Sequence, residues 1–484
     1  MGAANGETST FGPIAASTAT SPIDVRRTGR TRLPRCPPFE AQRGLTASLS
    51  SMADLQQETT ELLQRLIRFD TVNPPGRERE AQEYLRGYLE EAGFECELLA
   101  LDEARPNLLA RLRGEEDGPT LGYLSHVDTV LATPEEWSHD PWSGDLDDGF
   151  VWGRGALDMK SQTAAEAVAA ASLAREGWRP AKGELLLMCV ADEEAGGTFG
   201  AQFLTEQHPD KVRCDYLLNE GGGGVFEWDG TRYYGVCCAE KGVFRFSLTT
   251  DGVAGHASIP RMGDNALLKM APQLERLGER QPGLDVGPEP KAMLAALTGD
   301  GAEDPQAAVE RLRERDPFLA LLIEPTLGVS VTPTRISASE KINVIPSRAE
   351  LQVDCRVPPG LGEDEARARI EELLGPDGYR LEFLERVVGN RSPAESPLVD
   401  EIKHWIYDQD PGAQLMPTML PGFTDSRWFR NAFPDCLAYG FFPHRHMTIH
   451  EQMPLIHGAD ERIDVRDLGY AARFFHDLPQ RLLG

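Results

Sequence analysis

The chain predicts an α/β fold with a second, smaller unit set into it. Helix-like and strand-like segments alternate from residue 52 onward, and several strands are continuous apolar runs such as LLLMCVA (185–191), as expected where helices cover both faces of a sheet. Between about 241 and 390 the pattern changes. In ELQVDCRVP (350–358), Leu351, Val353, Cys355 and Val357 face one way while Gln352, Asp354 and Arg356 face the other, the mark of a sheet with one open face.

The elements follow in order. An amphipathic helix over 54–69 places apolar residues at 55, 62, 63, 66 and 67, and a second helix covers 77–93. Strands CELLALD (96–102), NLLARLR (107–113) and TLGYLSHVD (120–128) come next, then helix 160–176, strand GELLLMCVADEE (183–194), helix 198–207 and strand YLLNEG (216–221). The second unit contributes GVFRFSLTTDG (242–252), a helix at 264–280, a Pro- and Gly-marked segment to about 330 that lengthens it, strands around 334–357, helix 363–375 and strand YRLEFLERV (379–387). After Asn390 the chain returns to the first unit and ends in helix 464–478. The expected domains are therefore 52–240 with 391–484, interrupted by 241–390 and preceded by 1–51.

Composition narrows the function. With 77 acidic against 49 basic side chains the formal charge is −28, which repels nucleic acid and anionic membranes and leaves a small molecule or short peptide as the expected partner. The 8 cysteines show no paired spacing and several lie in apolar strands, so they read as reduced core thiols of a cytoplasmic protein. Adjacent Cys237 and Cys238 lack the usual geometry for a disulfide. Residues 1–51 carry six Arg against only Glu7, Asp24 and Glu40, and are rich in Ser, Thr, Ala and Pro. Such a stretch is expected to be a disordered or over-extended N-terminal tail, with a transit peptide as the other reading. No later apolar stretch approaches the roughly 20 residues a membrane span needs.

Ligands of an α/β sheet sit beyond its strand ends. That is where candidate metal donors fall: His126 and Asp128 close one strand, Glu193 and Glu194 another, Glu220 a third, with Asp158 and His457 each following a further apolar run. Neighbours on a regular strand point to opposite sides, so Glu193 and Glu194 are expected to divide two tasks between them.

The segments SHVDTV, GRGALDMK, ADEEAGG, NEGGG, GHASIP, KINVIP, DCR and IHGADERI, in this order and spacing, resemble the zinc-dependent exopeptidase and amidohydrolase family of aminoacylase, acetylornithine deacetylase, succinyl-diaminopimelate desuccinylase, carnosinase-like dipeptidases and glutamate carboxypeptidase. The likeness runs from about residue 55 to the C-terminus. It implies an α/β/α catalytic domain holding two Zn2+ ions, with Co2+ or Mn2+ as alternatives, and a smaller α+β lid through which the protein forms a homodimer.

By the same resemblance Asp158 bridges the ions, His126 and Glu220 hold one, and Glu194 and His457 hold the other. Three carboxylates offset three of the four positive charges and leave the pair electrophilic. Asp128 is implied to orient His126, and Glu193 to act as general base. His256 would reach across the dimer to the oxyanion, while Asn343 and Arg356 hold a substrate carboxylate. Gly422 and Thr424, in PGFTDSR, would also meet the substrate; Phe423 stands where the resemblance puts a second glycine, making the pocket more apolar. His444, His446 and His450 are expected to be loop residues near the approach to His457.

The implied activity is hydrolysis of an amide bond that releases an amino acid with a free carboxylate, as in an N-acyl-amino-acid deacylase or a carboxypeptidase/dipeptidase. The alternatives are an aminopeptidase of the same fold, which must reject N-blocked substrates, and a catalytically silent binding protein, which need hold no metal.

Overall fold

The computed structural model describes residues 52–299 and 303–484. The tail expected at 1–51 lies outside them. A ten-stranded sheet forms the larger layer, its path running Glu95–Leu99, Asn107–Arg113, Lys182–Val190, Glu116–His126, Tyr216–Asn219, Leu437–Gly440, Thr231–Glu240 and Asn390–Arg391. The four strands from Lys182–Val190 to Leu437–Gly440 are mutually parallel, so their C-terminal ends open on one edge.

Both faces of this sheet are covered, as the apolar runs require. Leu185, Leu187 and Cys189 pack with the helices Met52–Ile67, Arg79–Ala92, Lys160–Arg175, Pro397–Gln409 and Val465–Leu482. Their neighbours Leu186, Met188 and Val190 pack on the other face with Phe203, Leu204, Phe429 and Phe433. Helix Lys160–Arg175 is buried along nearly its whole length, which its alanines at 164, 165, 167, 169, 170 and 171 permit because a helix without bulk approaches the sheet and two neighbouring helices closely.

The smaller sheet is antiparallel. Strand Arg348–Val357 lies at its centre, paired with Gly242–Val243, Phe246–Asp251 and Ser330–Ser337, and Arg380–Phe383 pairs with Phe246–Asp251. Leu351, Val353, Cys355 and Val357 are buried under Met270, Leu277, Ile370 and Leu374 of the helices Ala266–Glu279 and Glu363–Leu374. The strand expected over 379–387 is shorter, since only Arg380–Phe383 pairs as a strand and Val387 adds one bridge to Val243.

One segment packs differently from expectation. Residues 281–330, read as lengthening the smaller unit, fold into the helices Pro288–Thr298, Pro305–Arg315 and Pro317–Ile323. Met293, Leu294, Leu312, Leu319 and Ile323 of these helices bury against Phe226, Trp228, Tyr233 and Met416 of the large sheet, and Trp228 Nε1 donates to Leu297 O at 2.7 Å. The hairpin at Val225–Trp228 and Thr231–Glu240 otherwise leaves an aromatic face bare, and this cover removes it from water. Asp304 and Asp316, each followed by a proline, cap two of the three helices.

Candidate metal centre

Every expected donor reaches the open edge of the parallel strands. His126 ends its strand, Glu220 follows Asn219 at the end of the next, and Glu193 and Glu194 follow the strand ending at Val190. Their separation has a different cause from the one expected. Glu193–Ala195 is a 3₁₀ turn entered through Asp192 at φ 72°, so it is the turn and not strand alternation that aims the two carboxylates. His457 also departs from the pattern: it sits in a loop after the short helix Ile449–Gln452, with φ 59°.

Asp158 is the hub. His126 Nε2 stands 3.1 Å from its Oδ1 and His457 Nε2 3.1 Å from its Oδ2, so one carboxylate faces an imidazole with each oxygen. Glu220 Oε1 lies 3.8 Å from His126 Nε2, and Glu194 Oε2 lies 3.3 Å from His457 Nε2. Donor atoms of His126, Asp158 and Glu194, and separately of His126, Glu193 and Glu220, fall within 4.8 Å of one another.

As it stands the cluster is electrostatically frustrated. Burial lifts the Glu220 carboxyl to about 7 with help from the charge of Asp158, and burial with Glu220 lifts Glu193 well above the ordinary range. Asp158 and Glu194 raise His457 to about 10. Burial opposes protonation of His126, yet Asp128, Asp158 and Glu220 hold its pKa well above the ordinary value. Protons on these imidazoles occupy the lone pairs that a divalent cation would take. Glu194 Oε1 is buried without a hydrogen-bond partner, an acceptor free for such a cation. The donor types and the orphaned oxygen fit a metal pair.

Asp128 does more than was expected and less of what was. His126 Nδ1 meets the backbone carbonyl of Asp128 at 3.0 Å, whereas its nearer carboxylate oxygen is 3.5 Å away. The carboxylate instead accepts the backbone N–H groups of Glu193 and Glu194, each at 3.2 Å, and the Asn73 amide at 2.8 Å. Asn73 also donates to Asp192, which pairs with Arg105 at 2.8 Å, and Arg105 pairs with the fully buried Glu78. A buried polar chain thus fixes the acidic turn from behind. None of Asn73, Glu78, Arg105 or Asp192 was singled out: Asp192 lies within the quoted ADEEAGG segment but was given no role, the other three lie outside the quoted motifs, and only their contacts reveal them.

The substrate-side residues divide. Arg356 faces Phe423, its guanidinium carbon 5.8 Å from that ring, but its Nε and Nη2 already pair with Asp354 at 2.6 and 3.2 Å. Asp354 also accepts from Arg245. His256 is exposed and binds Ser258 Oγ through Nδ1 at 2.8 Å, and Ala257 N donates to Asn343 O, so the two expected lid residues share one small ladder. Gly422 lines the loop beside Phe423. The Thr424 hydroxyl is committed within the protein. It is buried, accepts from Asn219 Nδ2 and from Ser426 N and donates to Glu240, which uses the one proton and both lone pairs and leaves that hydroxyl no further hydrogen bond. The bond from Asn219 ties Thr424 to the residue before Glu220.

Residues 122–481 match the model of peptidase family M20/M25/M40. The chain belongs to this family. Succinyl-diaminopimelate desuccinylase 2 of Ruegeria sp. (strain TM1040) is 30% identical over 236 residues, 48% of this chain and 56% of that relative. The succinyl-diaminopimelate desuccinylase of Paracoccus denitrificans is 33% identical over 224 residues, covering 45% and 56%. The chain therefore spans just over half the length of the curated relatives it matches. Among solved structures, an M20 family metallo-carboxypeptidase from Sulfolobus solfataricus superimposes with a TM-score of 0.67 at 17% identity, covering 88% of this chain and 99% of that one. Human carnosine dipeptidase 1 gives 0.63 at 14% identity, covering 89% and 97%. These neighbours establish the fold of this M20/M25/M40 member, a mixed α/β architecture. No helix among the described residues is long and apolar enough to cross a membrane.

Proposed function

We propose that the protein hydrolyses an amide bond whose amine product is an amino acid with a free carboxylate, acting as an N-acyl-amino-acid deacylase or a carboxypeptidase/dipeptidase. The observation that carries the reading is Asp158 set between two imidazoles at 3.1 Å each, with Glu193 beside His126 and Glu220. Family membership and the desuccinylase relatives support it. His126 and Glu220 would hold one Zn2+, Glu194 and His457 a second, and Asp158 both. When bound, such ions polarise a carbonyl oxygen and lower the pKa of water.

The remaining steps belong to side chains. Glu193, held by Asp128 through its backbone N–H, takes a proton from the attacking water and delivers it to the leaving amine. Arg356 and Asn343 select the substrate carboxylate, and Gly422 offers its backbone beside them. His256, exposed on the smaller unit, serves the site of a second copy. Val253, Ile259, Met262, Leu268 and Ile342, all exposed around the same ladder, give that copy an apolar surface to cover and make a homodimer the expected assembly. A cytoplasmic setting fits the seven described cysteines, which are free thiols.

The test is a panel of N-acetyl, N-succinyl and long-chain N-acyl amino acids with N-free and N-blocked dipeptides, assayed with zinc- or cobalt-loaded protein. No turnover at all, or turnover of N-free dipeptides that persists when their C-terminal carboxylate is amidated, defeats the proposal.

A further inference from the structure

The glycine-flanked Arg154 and the fully buried Glu461 were given no role by the motifs that contain them. Strand Arg462–Asp464 pairs antiparallel with Phe150–Trp152, which brings the two segments side by side, and Gly153 N donates to Glu461 O at 2.9 Å. Arg154 Nη1 and Glu461 Oε2 then meet at 2.6 Å, with side-chain exposures of 3% and 0%.

Apart from Arg154 Nε, which is buried without a partner, each side chain spends its other polar atoms on backbone at or near a candidate ligand. Glu461 Oε1 accepts the N–H of Leu157 at 2.7 Å and of Asp158 at 3.0 Å, while Oε2 also accepts Gly155 N at 3.2 Å. Arg154 Nη2 donates to Gly458 O at 2.9 Å and to His457 O and Leu131 O at 3.3 Å. The carboxylate therefore grips the turn that carries Asp158, and the guanidinium grips the loop that carries His457. That loop needs a grip, because His457 has φ 59°, a left-handed conformation costly for a side chain with a Cβ. A buried charge pair is costly unless its remaining hydrogen-bonding atoms are satisfied, and here they are spent largely on these two segments.

We propose that Arg154 and Glu461 are positioning residues for the metal centre: one buried ion pair sets the distance between Asp158 and His457 and so preforms the seat of the ion between them. The inference rests on the metal reading given under the proposed function. It predicts that the seat exists before any cation arrives, and that loosening the pair harms metal affinity more than it harms the fold. Outer partners of metal ligands typically change affinity by about 10–100-fold when altered.

The experiment is cobalt(II) titration of the full chain against a competing chelator, for wild type, Glu461→Gln and Arg154→Lys, alongside thermal melting. Wild type that binds no divalent ion defeats the metal reading itself. Wild type with two ions, together with a folded Glu461→Gln or Arg154→Lys protein whose weaker ion binds about 10–100-fold less tightly, supports the proposal. Folded variants that bind both ions as tightly as wild type overturn it. A measurement on unaltered protein stands independently of variant folding: amide exchange at Leu157 and Asp158 should be slow with and without cobalt. Fast exchange in the metal-free protein rules out a preformed brace.

Discussion

His457 Nε2 lies 3.1 Å from Asp158 Oδ2, so the last loop of the chain closes on a turn laid down some three hundred residues earlier. If that contact marks a shared cation, the two residues make different predictions. His457→Ala should leave one divalent ion per chain and Asp158→Asn neither, as read by elemental analysis of dialysed protein. Equal metal content in both variants would separate Asp158 from the bridging role.

Glu193 is held by a backbone hydrogen bond to Asp128 and pressed by burial and Glu220 toward its protonated form. A base in that state accepts a proton readily once a cation neutralises its neighbours. Glu193→Gln should keep the metal and lose about 10²–10⁴-fold in kcat. Retained turnover with unchanged metal content contradicts the assignment.

Thr424 separates what the chain discloses from what it conceals. The candidate donors were legible because metal chemistry demands particular side chains, and a sheet covered on both faces follows from the apolar runs. Saturation of a hydroxyl is not legible, because it depends on Asn219, Glu240 and Ser426 arriving from elsewhere. Nor is the destination of residues 281–330, whose amphipathic helices fit any bare apolar face and find it on the large sheet. Thr424→Val should cost about 1–3 kcal/mol of stability by stranding buried partners, with KM nearly unchanged. A raised KM at unaltered melting temperature would favour the substrate role instead.

Arg356 is already paired within its own strand. Because Asp354 takes the N–H of Nε and one N–H of Nη2, a substrate carboxylate must use Nη1 with the second N–H of Nη2 or displace Asp354. Arg356→Ala should raise KM for carboxylate-bearing substrates and spare their amidated analogues. Asp354→Asn, which weakens the competitor, should lower KM for the same carboxylates. Identical effects on amidated and free substrates place Arg356 outside recognition.

Glu166 gives a pH signature away from the metal cluster. It lies 2% exposed in helix Lys160–Arg175, where burial pushes its carboxyl up to about 8 against the opposing hydrogen bond from Gln162. The unfolded chain releases this proton near 4.5 while the folded one keeps it. Between those values the folded state binds more protons, so its stability is full at low pH and declines as pH rises through the folded pKa, by at most about 1.4 kcal/mol per unit. Glu166→Gln fixes the neutral form and keeps the shape. Its melting temperature should fall less than that of wild type between pH 5 and pH 8, in a difference that cancels the groups common to both proteins. Parallel melting curves across that range would show that Glu166 is ionised in the folded protein.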